Sequence, residues 1–295
     1  MTLRPLSLLC LWLALLGLAP LRADEPVAPR RLSGEIAGAH WTAIVPENWD
    51  GRILLEAPDI RHAPEPLIAE LDDSTPDHQM LLAAGWALAT TSYRRTGPIL
   101  VDAIDDLIAL RDRLAADLGQ PKMVLVAGTG MGGLIATLIA ERHSDEFHGC
   151  LATDPTLDLR DPRALRLRRD GQPRGPLLFL FGTTTARAVI AYSDHATAVA
   201  NAESTVPVLW YRDADAEAEP GAKPVSLPAA AEALAAWIQT RRPPASRLDT
   251  LPTIDDLPQP ESATADKNAA PAEAPLLPDE PPPTVPVDDG PAAAK

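Results

Sequence analysis

Apolar and polar residues follow two rhythms along this chain. Short apolar runs bounded by glycine, proline or acids read as buried strands: "RILLEA" (Arg52–Ala57), "WALATTSY" (Trp86–Tyr93), "KMVLVA" (Lys122–Ala127), "HGCLATD" (His148–Asp154), "PLLFLFGT" (Pro176–Thr183) and "VPVLWYR" (Val206–Arg212). "EIAGAHWTAIVP" ahead of them reads as a hairpin or curved strand pair. Between the strands the period lengthens to that of helices. "STPDHQMLLAAG" has helix-start chemistry, with Ser74 or Thr75 as cap and Pro76 in the first turn. From about Ile99 to Leu118, closed by Gly119, the helical period puts Val101, Ile104, Leu107, Ile108, Leu114 and Leu118 on one face. Asp102, Asp105, Asp106, Arg113 and Asp117 fall on the other, so Asp105 and Asp106 are expected in water, not as a catalytic carboxylate pair. Arg111 interrupts the apolar side. Further helices are predicted over Leu134–Arg142, around His195 after Thr185, and over Leu227–Gln239. Apolar strands separated by helices imply an α/β fold: a mostly parallel sheet with helices on both faces.

The two ends of the chain differ from this middle. Arg4, the apolar run Leu6–Leu18 and the small Ala23 before Asp24 read as a secretory signal peptide over residues 1–23, which implies a periplasmic or secreted protein. The alternative is an uncleaved N-terminal anchor, although the run is shorter than the ~20 residues a membrane span needs. After cleavage no other segment is apolar enough to form a transmembrane helix. From Pro243 to Lys295 there are 13 of the 32 prolines, ten acids against three bases, and no aromatic residue. That composition buries too little apolar area to offset chain ordering, so residues 243–295 are expected to be a disordered, acidic, proline-rich tail, leaving 24–242 as the folded domain. With the signal removed Cys150 stands alone, which excludes an internal disulfide. A net charge of −15 argues against nucleic acid as a partner. No His or Cys pair has the spacing of metal ligands, so neither a metal nor a cofactor is expected.

The candidate chemistry centres on "VLVAGTGMGGLIATLIAERH" (Val124–His143), a strand, a glycine-rich turn and a helix. Gly128, Gly130 and Gly133 match the spacing of a dinucleotide-binding loop, with Asp154 at the end of the next strand as the acid for a ribose. In that fold, however, the glycine loop follows the first strand, and here several strands precede it. The same plan is that of a nucleophile elbow, Gly-x-Ser-x-Gly, a sharp strand-to-helix turn that exposes a serine.

Several segments in the right order favour the elbow. "GAHWTAIVPENWDGRILLEAP", "LLAAGWALATTSYRRTG" and "VLVAGTGMGGLIATLIAERHSDEFHGCLATDP" together resemble the α/β-hydrolase superfamily, in particular its secreted esterase and peptidase-like members, over roughly Ser33 to Arg242. The resemblance implies a serine at the elbow, a carboxylate after "LLFLFG" and a histidine between "VPVLWYR" and the last helix. This chain has Gly130 at the first position, Thr185 at the second and no histidine in the third region. Where relatives end the strand before the oxyanion loop with His-Gly, this sequence has Pro58 and Asp59. Glycine suits an emptied elbow, because the nucleophile's backbone conformation strains any residue with a Cβ.

The expectation is therefore an exported pseudo-hydrolase that binds or scaffolds in the cell envelope. An active hydrolase with a relocated triad of Ser92, His62 and Asp59 is the alternative, and a dinucleotide-binding protein using Gly128, Gly130 and Gly133 is a third. Thr129, beside the vacant position, is expected to pack inward. The N–H groups of Gly130, Met131, Gly132 and Gly133 open a helix, which favours anions. With Arg61, Arg94 and Arg95 from neighbouring loops they suggest a site for a small anionic ligand or an envelope protein. Arg160, Arg163, Arg166, Arg168, Arg169 and Arg174 fall where the resemblance places a lid. The other reading of these arginines is surface pairing with the chain's many acids. His143 suits the negative end of the elbow helix, and His195 reads as an exposed helical residue.

Overall fold

The computed structural model describes residues 28–97, 99–157, 171–213, 225–253 and 255–257. The signal segment with its uncleaved alternative, Arg160 to Arg169 of the lid segment, and the chain beyond 257 lie outside the described residues. Eight strands form one sheet: β1 (Arg30–Ile36), β2 (Ala39–Val45), β3 (Arg52–Ala57), β4 (Trp86–Thr91), β5 (Met123–Thr129), β6 (Gly149–Thr153), β7 (Leu177–Phe181) and β8 (Val208–Tyr211). Their order is β1-β2-β4-β3-β5-β6-β7-β8, with β2 antiparallel to both neighbours and the rest parallel. β1 and β2 are the predicted hairpin, closed by Ala37 and Gly38, both at positive φ. Two central residues at positive φ give a turn whose twist matches that of the strands.

Helices cover both faces. Alternate residues along each strand point to opposite sides, so Ile53 and Leu55 of β3 join one core and Leu54 the other. Helices α2 (Leu100–Leu118), α3 (Met131–Arg142) and α4 (Thr183–Ala198) pack on the first face. Helices α1 (Pro76–Ala83) and α5 (Leu227–Thr240) pack on the second. Thr75 caps α1 by accepting from the His78 N–H at 3.3 Å, and Ser226 caps α5.

The apolar face of α2 is rotated from the one expected. Leu100, Ala103, Ile104, Leu107, Leu110 and Leu114 turn inward, while Val101 is 53% exposed. Asp106, expected in water, is 3% exposed and buried. Its carboxylate accepts from the Arg94 backbone N–H at 2.9 Å and from Nε at 2.8 Å, and these bonds offset the loss of hydration. Asp105 is exposed as expected. Arg111 stays on the apolar side by stacking over Phe147 and pairing with Asp112 and Glu146.

The folded domain also runs past its expected end at Arg242. In the segment beyond it, Ala245, Ser246 and Arg247 pair with the outer edge of β8. Leu248 and Leu251 pack on the first core, and Leu257 is 2% exposed. These three leucines bury enough apolar area to order a stretch whose average composition reads as tail.

Candidate functional site

β5 delivers the chain to the turn as a buried strand, and Gly130 then makes the bend at φ 59°, ψ −118°. Its N–H donates to Thr153 O at 3.1 Å, and its carbonyl accepts from Leu134 and Thr156. The turn is tight enough that side chains are excluded around it. A Cβ on Gly132 would lie 2.0 Å from the Ala57 carbonyl oxygen. Gly128 is pressed against the Gly132 backbone and Gly133 against Pro155 in the same way. Of the three glycines in the dinucleotide spacing, Gly128 and Gly133 have the close protein packing that either motif asks of its first and third glycines, whereas Gly130, whose backbone that reading turns toward a pyrophosphate, has the Asp59 carboxylate beside it. Thr129, expected to pack inward, is exposed and lines a cleft, because Ala127 and Thr129 share the face of β5 that opens between α1 and α5.

The loop after β3 crosses over this bend. Tyr93, buried and at φ 57°, donates its hydroxyl to the Pro58 carbonyl at 3.0 Å. Burial pushes the Tyr93 phenol well above its ordinary pKa, with the charges of Asp106 and Asp59 acting in the same direction. Pinned in this way, Asp59 brings Oδ2 to 3.2 Å from where a Cβ on residue 130 would stand, while Oδ1 accepts from the Ile60 N–H at 2.8 Å. The space in front of Gly130 is therefore shared with a carboxylate.

Beside the bend lies a cleft of about 570 Å³, with Asp59, Thr129 and Thr153 at the strand ends, His78 on α1, Arg212 just after β8 and Ser226 capping α5. Its two cations are already paired. His78 places Nε2 2.5 Å from Glu56 Oε1 and Nδ1 2.6 Å from the Asp72 carbonyl. With acceptors on both nitrogens the ring is an imidazolium, and its pKa is raised to about 9, chiefly by the hydrogen bond to Glu56. Arg212 pairs with Asp154, whose other oxygen accepts from the Gly182 N–H at 2.7 Å and the Thr185 hydroxyl at 2.8 Å. Thr185, at the position where the resemblance expects an acid, is thus bound to an acid at the end of the neighbouring strand. The pairing of Glu56 with His78 had no sequence signal, since the two residues are 22 positions apart and belong to a strand and the first turn of a helix.

The structure does not bring Ser92, His62 and Asp59 into hydrogen-bond contact. Ser92 is 2% exposed, donates to the Tyr93 carbonyl at 2.8 Å and accepts from the His40 N–H at 3.0 Å. His62 is exposed, with its backbone N–H on Glu65. Nor do the three arginines line the cleft. Arg61 contacts the Ile68 carbonyl and Glu70, Arg94 holds Asp106, and Arg95 pairs with Asp102. Arg174, from the lid segment, pairs with Glu203. His143 caps α3, but burial lowers its pKa, with Arg142 acting the same way. It therefore adds less positive charge at that helix end than the sequence suggests. His195 is exposed on α4, as expected.

The sheet order, the bend after its central strand and the helices on both faces define an α/β-hydrolase fold. The chain is similar to the acylaminoacyl peptidase of Pyrococcus horikoshii, with a TM-score of 0.50 at 10% identity over 64% of this chain. An esterase of Pyrococcus furiosus gives a TM-score of 0.46 at 15% identity, with 63% of this chain and 81% of the esterase covered. The chain spans 37% of the Pyrococcus horikoshii peptidase and 32% of a second peptidase-related structure, from Bacteroides ovatus. No family model and no curated protein matches the sequence.

Proposed function

We propose that this is an exported α/β-hydrolase-fold protein that has lost bond cleavage and uses its strand-end cleft to bind or dock within the cell envelope. The single observation behind this reading is the carboxylate of Asp59 beside Gly130. Acyl transfer needs a nucleophile at that bend and hydrogen-bond donors facing a developing oxyanion. Here glycine supplies no nucleophile, and an anionic oxygen stands where it would repel the negative charge of a tetrahedral intermediate. Thr185, held by Asp154, and the lack of a histidine between Arg212 and Leu227 support the same reading. Export rests on the N-terminal 23 residues alone.

The test is turnover of a panel of aryl esters and aminoacyl arylamides, together with labelling by a serine-reactive fluorophosphonate. The reading expects neither, and expects Gly130→Ser to restore neither, because the base and the acid are absent as well. Hydrolysis by the natural sequence that disappears in Ser92→Ala would overturn it in favour of the relocated triad.

A further inference from the structure

The sheet ends in two unlike edges. β1 is mostly exposed and carries Arg30, Arg31 and Glu35, charges that discourage another strand from adding to it. β8 carries Val208, Leu209, Trp210 and Tyr211, all buried and none charged. A bare edge of that composition is a template for pairing with another chain. The segment after Arg242 covers it. The Arg247 N–H donates to the Leu209 carbonyl at 2.7 Å, and the Tyr211 N–H donates to the Arg247 carbonyl at 2.8 Å. The Leu209 N–H is taken by the Ser246 hydroxyl at 3.1 Å, and Trp210 Nε1 donates to the Ala245 carbonyl at 3.0 Å. The Arg247 guanidinium lies 3.8 Å from the centre of a Trp210 ring. The outward groups of Leu209 and the outward N–H of Tyr211 are therefore satisfied from within the same chain. Beyond this contact, Leu248, Leu251 and Leu257 fasten the segment to the core, and Arg187 donates to the Leu257 carbonyl.

We propose that residues 243–253, with 255–257, are a strap that closes the β8 edge against a second copy of this protein. Once the strap is displaced, β8 pairs antiparallel with the β8 of another copy, the only strand direction that a two-fold axis allows. The partner is this chain because an uncharged strand is complementary to itself in hydrogen bonds and in side chains. The proposal is independent of what the cleft binds.

The experiment compares the mature full chain with Arg247→Pro by sedimentation velocity over a wide concentration range, with amide hydrogen exchange read at Leu209 and Tyr211. Proline removes the donor to Leu209 and cannot sit flat against the edge. The natural chain is expected to show protected amides and no association through this edge. In Arg247→Pro, exchange at both amides should quicken at least about tenfold in dilute solution. Dimers should form as concentration rises, with protection returning in the dimer. Leu251→Glu, which loosens the strap from its apolar anchor and leaves the edge bonds untouched, should shift both readouts the same way by less. It decides the matter alone if the proline variant does not fold. Rapid exchange at both amides in the natural chain overturns the proposal. So does a folded variant that exposes both amides and sediments no differently from the natural protein.

Discussion

The bend after β5 and the cleft beside it are held by opposite means. Around Gly130 the chain is fixed by missing side chains: Gly132 abuts the Ala57 carbonyl, and a Cβ on Gly128 would meet the Gly132 backbone. In the cleft the elements are fixed by charge, with Glu56 on His78 and Asp154 on Arg212, Gly182 and Thr185. On the proposed reading, the difference shows what a fold retains once chemistry is no longer required. Backbone packing at the bend is a condition for joining β3, β5 and α3, whereas the polar groups around it can be reassigned to structural pairing.

The largest effect that would break this contrast is at Gly132. Replacing it with alanine puts a Cβ 2.0 Å from a carbonyl oxygen that belongs to the central sheet. Denaturant titration should show a loss of more than about 4 kcal/mol or no folded protein, a range reserved for overpacking of this kind. A native midpoint would mean that the bend is looser than described. Next comes Asp154→Ala, which removes the acceptor for the Gly182 N–H and the Thr185 hydroxyl and the partner of Arg212; about 2 kcal/mol is expected from the same titration. Asp154→Asn, which keeps an acceptor oxygen, should lose less.

A pH series probes the other charged pair. Because the His78 pKa is raised from 6.5 to about 9 on folding, its pairing stabilises fully below pH 6.5 and is lost as pH rises through about 9. Unfolding free energy should therefore fall across that window, and the fall should shrink in His78→Gln. His143 and His148, both lowered chiefly by burial, act in the reverse sense: their contribution is present above pH 6.5 and fades as pH drops. The smallest effect belongs to Gly130→Ala, where a side chain at positive φ costs about 1 kcal/mol. Pairing it with Asp59→Asn sharpens the comparison. If proximity to the Asp59 carboxylate adds to the strain, the double variant recovers part of the loss.

Most of the fold was legible because it is written in period and punctuation. The strands from Arg52 to Tyr211, the capped start of α1 and the glycine close of α2 follow from apolar runs and their bounding residues. What was misread depends on which neighbour a side chain meets. Asp106 sits on a helical stripe that looks solvated, and only the return of Arg94 from the end of β4 makes its burial tolerable. The strap was hidden by averaging, since three leucines spread through a proline-rich, acidic stretch do not alter its composition. At the site, the bend was readable from the glycines. The pairing of Glu56 with His78 and the diversion of Ser92 to local backbone were not, because the first depends on where α1 seats on the sheet and the second on how β4 pairs with β2.

The bond between Thr185 and Asp154 adds a consequence to the proposed loss of hydrolysis. A carboxylate already stands at the rim of the sheet, one strand away from the usual station, and it is committed to three donors. An engineer who restored serine and histidine would still have to release that acid or plant another. Withdrawing it would unfasten Arg212, just past the end of β8. If hydrolysis has been lost as proposed, the way back passes through a less stable intermediate, a barrier to reversion that arises from the architecture alone.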